Sequence, residues 1–125
     1  MVSLKGRRIL VVDDEQEIRE ILVDILELHD AIVAQAEGAH QALELMKAQS
    51  FDTVVSDVRM PEGDGIFLLK SIREADPAKP LVFLATGFSD LTEEEAVALG
   101  AVRMIAKPFD LSVLISMLAA ASVPN

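Results

Sequence analysis

The chain has 125 residues, 51% of them hydrophobic and 26% charged, which fits one soluble globular domain over residues 1–125 and excludes a disordered tail. The absence of cysteine excludes a disulfide framework, a thiolate metal site and a cysteine nucleophile, and the net charge of -10 argues against direct nucleic-acid contact. No apolar run reaches the roughly 18 residues of a membrane span, and the N-terminus lacks a secretory signal, so we expect a cytoplasmic protein without a membrane partner.

Short apolar runs alternate with segments of helical periodicity along the chain. The first run, 8–12, has no polar alternation, which is typical of a strand covered on both faces. From Ile18 to Leu28, apolar residues at helical spacing, Ile21 among them, predict one buried face of a helix, and Arg19 is assigned to the opposite, solvent-facing side. The next predicted elements are a strand over 31–36, a helix over 38–48 and a strand over 52–56.

The same alternation continues to the C-terminus. Thr92 and Glu95 are spaced to form a capping box at the start of the fourth helix. Five strand-then-helix units imply parallel strands joined by right-handed crossovers, so the predicted fold class is α/β, a single five-stranded parallel sheet with helices on both faces. The remaining predicted elements are a helix over 65–75, a strand over 81–85, a helix over 92–99, a strand over 102–106 and a helix over 110–121.

Polar residues of particular types follow four of the predicted strands. The first strand ends in Asp13 and Asp14, the third in Asp57, the fourth in Thr86 and the fifth in Lys107. In open parallel sheets the carboxyl ends of the strands form the ligand site. Clustered carboxylates repel each other unless a cation lies between them, and hard oxygen ligands suit Mg²⁺. Lys107 and Thr86 are suited to bind phosphoryl oxygens around Asp57, the best candidate nucleophile.

Four segments of the sequence together resemble the receiver domain of two-component response regulators, the family of the chemotaxis response regulator. The resemblance covers essentially the whole chain and implies a flavodoxin-like sheet with strand order 2-1-3-4-5. It further implies a bacterial phosphorelay signal protein, not a turnover enzyme, whose partner is a histidine kinase or a histidine phosphotransfer protein. The matching segments are ILVVDDE at 9–15, VVSDVRMPEGDG at 54–65, LATG at 84–87 and KPF at 107–109.

The resemblance implies that Asp57 accepts a phosphoryl group from a phosphohistidine. Asp13 and Asp14 resemble the acidic pair that holds Mg²⁺, directly or through water. Asp57 itself and the backbone carbonyl of Arg59 are the further expected ligands of the metal.

Two other strand-end residues have roles that the same resemblance implies. Thr86 resembles the hydroxyl that moves to the phosphoryl oxygen, and Lys107 resembles the family's invariant cation. The bond from Lys107 to Pro108 is expected to be cis, which costs little before proline. The surface formed by the fourth helix, the fifth strand and the fifth helix is the expected output face.

Three positions depart from the family pattern or modulate it. Met104 lies three residues before Lys107, where the family usually has an aromatic switch, so we expect weaker coupling to the distal surface; core filling is the equally weighted alternative. Arg59 and Phe88 follow the phosphoacceptor and the threonine by two residues. They are expected to influence the lifetime of the acyl phosphate, the alternative being exposed loop residues without a role.

The last predicted helix is apolar on nearly every face. One stripe is needed to cover the sheet, and a second stripe of Val113, Met117 and Ala120 then points away from it. An outward apolar stripe predicts a partner, either a second copy of this chain in a weak homodimer or an adjacent domain; scattered surface hydrophobes are the alternative.

Three other functions compete with a phosphoacceptor. A haloacid-dehalogenase-type hydrolase needs a second Asp two residues after the first, where this chain has Arg59. A flavin or nucleotide binder needs a loop after the first strand that attracts phosphate, and Asp-Asp-Glu repels it. A pseudo-receiver that acts only as a protein-binding module remains the alternative, although it usually lacks one of the three residues Asp57, Thr86 and Lys107.

Overall fold

The computed structural model describes residues 3–60, 64–87 and 91–121. Strands and helices alternate along it, and the ends of the predicted elements agree with the observed ones to within about two residues. The elements are β1 (Arg8–Val12), α1 (Gln16–Leu28), β2 (Ile32–Ala36), α2 (Ala39–Ala48), β3 (Thr53–Asp57), α3 (Gly65–Ala75), β4 (Leu81–Thr86), α4 (Glu93–Ala98), β5 (Arg103–Ala106) and α5 (Leu111–Ala120).

All five strands pair in parallel in the order β2-β1-β3-β4-β5. This is the predicted flavodoxin-like α/β fold. The chain adds β2 on one side of β1 and β3 on the other, so the order of strand addition reverses between β1 and β3. Ligands bind at such a switch point, outside the carboxyl ends of the strands.

Two hydrophobic clusters cover the two faces of the sheet, as predicted for helices on both sides. Alternate residues of β1 point to opposite faces. Leu10 and Val12 join the cluster that α2, α3 and α4 complete, whereas Ile9 and Val11 join the cluster of α1 and α5. β1, β3 and β4 are therefore buried on both sides, which explains their unbroken apolar runs.

The structure corrects part of the predicted buried face of α1, although Leu22, Ile18 and Ile25 pack against the core as expected. Ile21 and Leu28, assigned to the buried face, are 53% and 63% exposed, whereas Arg19, assigned to the solvent-facing side, is 7% exposed. Arg19 can be buried because its guanidinium donates hydrogen bonds to the Asp13 carbonyl and to the Gln35 side chain. Periodicity alone could not reveal these partners, since a buried cation is favourable only where hydrogen bonds replace water.

Within residues 3–60, 64–87 and 91–121, no helix is long and apolar enough to cross a bilayer.

The edge of the sheet at the amino ends of the strands is held by Arg7. Its Nε pairs with Asp52 Oδ1 at 3.2 Å, and its Nη2 donates to Thr53 Oγ1 at 2.7 Å. Nη1 donates to the carbonyl of Leu118 at 2.7 Å, in the last turn of α5, where the helix has no basic residue of its own. Arg7 thus satisfies a helix-end carbonyl that lacks an intrahelical partner and joins α5 to β3.

Arg7→Gln is expected to lower the free energy of unfolding by about 1–3 kcal/mol, because it leaves a part-buried carboxylate and a carbonyl without their charged donor. Guanidinium chloride unfolding measures this loss. Lys47→Gln is the control: Lys47 pairs with Glu44 on the surface, with both side chains about three-quarters exposed, and an exposed pair contributes about 0–1 kcal/mol. Equal losses in the two variants would contradict the role given to Arg7.

Candidate functional site

The predicted site residues meet at the carboxyl edge of the sheet. Asp13 directly follows β1, Asp57 ends β3, Thr86 ends β4 and Lys107 directly follows β5. Asp13 is 2% exposed and Asp57 8%, whereas Asp14 is exposed to solvent. A cleft at this edge is lined by Asp14, Glu15, Ile18, Asp57, Arg59, Thr86, Gly87, Lys107 and Pro108.

The ammonium group of Lys107 lies between two buried carboxylates. Lys107 Nζ is 3.0 Å from Asp13 Oδ2 and 3.2 Å from Asp57 Oδ2. A third, exposed carboxylate approaches it, since Glu15 Oε1 is 3.6 Å from the same nitrogen. One cation therefore neutralises only part of the negative charge at this edge.

Burial and neighbouring charges shift the pKa values of this pair. Burial raises the pKa of Asp57; Lys107 opposes that effect, the charge of Asp13 adds to it, and a hydrogen bond from the Arg59 backbone N–H opposes it. For Lys107, burial alone would lower the pKa, but the hydrogen bonds and charges of Asp13 and Asp57 outweigh burial and raise it. The positive charge of Lys107 therefore compensates the ionised carboxylate of Asp57 only in part.

The acidic residues are arranged so that a divalent cation could supply that charge. Among the described residues, Asp13, Asp14 and Asp57 each offer a carboxylate oxygen, and these oxygens all lie within 4.8 Å of one another. The donor set contains only hard oxygen ligands, and its exposed member, Asp14, leaves one side open to water. Mg²⁺ binds through few carboxylates and keeps several waters, so these residues fit it.

The loop after β3 holds Asp57 through close backbone contacts. The N–H of Val58 donates to the Ala85 carbonyl at 2.9 Å, and the N–H of Gly65 donates to the Val58 carbonyl at 2.9 Å. A Cβ on Gly65 would collide with the carbonyl oxygen of Asp57 and would lie 3.0 Å from Val58 Cα. Only glycine allows α3 to begin this close to the candidate nucleophile.

The close approach of Gly65 to Asp57 was not predicted from the sequence, where Gly65 marks the start of a helix and ends one of the segments that match the family. A signal was present, because glycine at the first position of a helix has no advantage in capping or propensity. Such a glycine indicates a close approach of backbone, here to Asp57.

Lys107 is held by the backbone of its own loop. The peptide bond between Lys107 and Pro108 is cis, as the family resemblance implies; a second cis bond, Lys79–Pro80, was not predicted. The N–H of Lys107 donates to the Thr86 carbonyl at 3.0 Å, which extends the pairing of β4 with β5 to the site. Of the two residues expected to modulate the site, Arg59 is exposed, and Phe88 lies outside the described residues.

Met104 is half-buried and packs against the cluster of α2, α3 and α4. Its backbone is tied to α4, because Met104 N–H donates to Glu93 Oε2 at 3.0 Å. The same oxygen accepts a bond from Arg103 Nε at 3.1 Å. Glu93 thus joins the first residue of α4 to β5, a contact that the sequence analysis missed.

The three residues of the predicted apolar stripe on α5 differ in exposure. Val113 is 49% exposed and Ala120 is exposed, as expected. Met117 is half-buried: it packs against the cluster of α1 and α5 and also lines the surface groove beside Val113 and Ala120.

Comparison with known proteins identifies the family. The family model described as "Response regulator receiver domain" matches residues 9–119, and the chain belongs to that family. It is 42% identical over 102 residues to the transcriptional regulatory protein ZraR of Escherichia coli K12, covering 82% of this chain and 23% of ZraR. It is 38% identical over 105 residues to the chemotaxis protein CheY of Bacillus subtilis, covering 83% of this chain and 88% of CheY.

Solved structures agree with this assignment. The receiver domain of the Francisella response regulator 1452 has a TM-score of 0.82 at 27% identity, covering 91% of this chain and 97% of that structure. The chemotaxis response regulator CheY4 of Vibrio cholerae has a TM-score of 0.80 at 28% identity, covering 90% and 95%. The chain is therefore a receiver domain, a signalling module of two-component systems, and it spans about a quarter of the ZraR-type regulators that it matches.

The hydrogen bonds from Met104 N–H and, second, from Arg103 lower the pKa of Glu93. Since the folded-state pKa lies below that of the unfolded chain, the contact stabilises the fold above the unfolded-state pKa and is lost as the pH falls through the folded-state value. We expect the Met104 amide resonance to shift in a ¹H–¹⁵N NMR titration with a midpoint below about 4.3, the usual glutamate pKa. Glu93→Gln should abolish this transition. A midpoint at or above that value would contradict the hydrogen bond.

Proposed function

We propose that this receiver domain, formed by residues 1–125, accepts a phosphoryl group on Asp57. The donor is a phosphohistidine of a sensor kinase or a histidine phosphotransfer protein. The observation that carries the proposal is the position of Lys107 Nζ, 3.0 Å from Asp13 and 3.2 Å from Asp57, beside a cleft that Thr86 also lines. It is supported by the reversal of strand order at β1 and β3, where this fold binds ligands.

The reaction is an in-line displacement at phosphorus. A carboxylate oxygen of Asp57 forms the new P–O bond while the P–N bond to the donor histidine breaks, and the departing imidazole keeps the electron pair. Lys107 can donate a hydrogen bond to one phosphoryl oxygen, and the Thr86 hydroxyl can donate another. Mg²⁺ held by Asp13, Asp14 and Asp57, with the Arg59 carbonyl as a further proposed ligand, would neutralise charge on the phosphoryl oxygens.

The product is an altered surface instead of a released molecule, so the proposed role is that of a switch and not of a turnover enzyme. Thr86 and Met104 line a second cleft together with Glu93 and Lys107, which connects the site to α4 and β5. A change at Thr86 would thus reach the surface of α4, β5 and α5. A pseudo-receiver that is never phosphorylated is the second candidate. Cytoplasmic location and the lack of direct nucleic-acid contact stay predictions.

The phosphoacceptor proposal is tested by incubation with acetyl phosphate and Mg²⁺, followed by Phos-tag electrophoresis. The wild type is expected to gain one phosphoryl group, and Asp57→Asn to gain none. Excess EDTA should prevent uptake, because without a cation the acidic cluster repels the anionic phosphoryl donor. Asp24→Asn, which removes an exposed carboxylate from α1, is the matched control and should behave as the wild type. Absence of uptake in the wild type would favour the pseudo-receiver.

We further propose a weak homodimer through α5, the partner being a second copy of this chain. Val113 and Ala120 form the exposed part of the stripe, beside a groove that Val102 and Ser116 also line. An adjacent domain of a longer protein is the alternative occupant of this face, since the ZraR-type relatives extend well beyond the matched region.

Sedimentation velocity at hundreds of micromolar is expected to show a dimer that Val113→Glu disrupts, because the substitution places a charge in the apolar contact. Leu28→Glu is the control, since Leu28 is similarly exposed on α1. Beryllofluoride, a phosphoryl mimic, should tighten the dimer if Met104 couples the two faces. A wild type that stays monomeric with and without beryllofluoride would refute the homodimer.

A further inference from the structure

Arg19 is the only buried basic residue in the described part of the chain, with 7% of its surface exposed. Removing a guanidinium from water is costly unless partners within the protein replace the lost hydration. The closest carboxylate is a poor partner, because Arg19 Nη2 lies 3.8 Å from Glu37 Oε1 and the Glu37 side chain is 75% exposed. Its burial must therefore be explained by other contacts.

Those contacts are two short hydrogen bonds to neutral groups. Arg19 Nη1 donates to the carbonyl oxygen of Asp13 at 2.8 Å, and Nε donates to Gln35 Oε1 at 2.8 Å. Gln35 lies on β2, so the guanidinium connects α1 and the edge strand to the loop after β1. One of its two good partners is thus the backbone of a site residue.

Asp13 has a hydrogen-bond partner at every polar group. Its N–H donates to the Ala36 carbonyl at 3.1 Å, and its C=O accepts from Arg19. In the carboxylate, Oδ1 accepts from Glu15 N–H at 2.9 Å, and Oδ2 accepts from Lys107 at 3.0 Å. Arg19 thus holds the Asp13 carbonyl, whereas Ala36, Glu15 and Lys107 hold the other polar groups of Asp13.

We propose that Arg19 is a positioning residue for the divalent cation: its hydrogen bond to the Asp13 carbonyl anchors the Asp13 peptide so that the carboxylate faces Asp57. The inference rests on the metal site proposed above and extends it to a residue that touches neither metal nor phosphoryl group. Residues that orient ligands in this way typically change metal affinity by about 10–100-fold when they are replaced.

A purely structural role would be to join α1 to β2, and Arg7 provides a matched control for it. Arg7 is also a largely buried guanidinium, with three partners, but it lies at the opposite edge of the sheet. Arg19→Gln and Arg7→Gln should both lower the melting temperature of the metal-free protein. Only Arg19→Gln should also weaken Mg²⁺ binding, by about tenfold or more, in isothermal titration calorimetry.

The outcomes separate this inference from the function on which it depends. A wild type that does not bind Mg²⁺ at millimolar concentration would overturn the metal site itself. A wild type that binds, with Arg19→Gln unchanged in affinity or no weaker than Arg7→Gln, would overturn only the positioning role. If Arg19→Gln does not fold, Gln35→Ala replaces it: Gln35 is exposed, so the fold should survive. Loss of the Gln35 amide, which orients the guanidinium, should weaken Mg²⁺ binding several-fold, and unchanged affinity would refute the proposal.

Discussion

The ion pairs of Lys107 with Asp13 and Asp57 are the interaction on which this site depends. Parallel pairing of β1 with β3 places two carboxylates side by side at one edge of the sheet, both of them buried. Carboxylates in that position repel each other and have lost hydration, so they persist as anions only beside a cation. The ammonium group of Lys107 pairs with both Asp13 and Asp57, but its single positive charge does not neutralise two carboxylates. The proposed metal and phosphoryl chemistry follow from that remaining charge.

Specific contacts hold the backbone around these three residues. Gly65 lets α3 begin against the carbonyl of Asp57, and Arg19 holds the carbonyl of Asp13. The Lys107 N–H continues the pairing of β4 and β5. Each anchor uses a main-chain group and makes no demand on the side-chain oxygens of Asp13 and Asp57, which pair with Lys107 instead. Such preorganisation lets charged groups act on a transferring phosphoryl group without first reorienting.

The two edges of the sheet differ in how well their charged side chains are paired. At the amino edge, Arg7 and Asp52 are paired and further hydrogen-bonded, so their charges balance. At the carboxyl edge the carboxylates outnumber the one lysine beside them, and this excess of negative charge can bind a cation. On the side of the molecule away from β2, α4 is short, and Glu93 ties it to Met104 on β5. A contact made by one exposed carboxylate can exchange between two arrangements more readily than a packed core can.

The order of the elements, the α/β class and the strand-end residues could all be predicted from the sequence, because periodicity and strand ends are local properties of the chain. The burial of Arg19, the approach of Gly65 to Asp57 and the partial burial of Met117 could not. Each depends on atoms from another element: Gln35 beside Arg19, the end of β3 beside Gly65, the sheet beneath Met117. Hydrophobic patterning reports which face of a helix is mostly apolar, whereas hydrogen-bond partners and free space exist only once distant segments have packed together. The tertiary structure alone therefore decided how the predicted site residues are held in place.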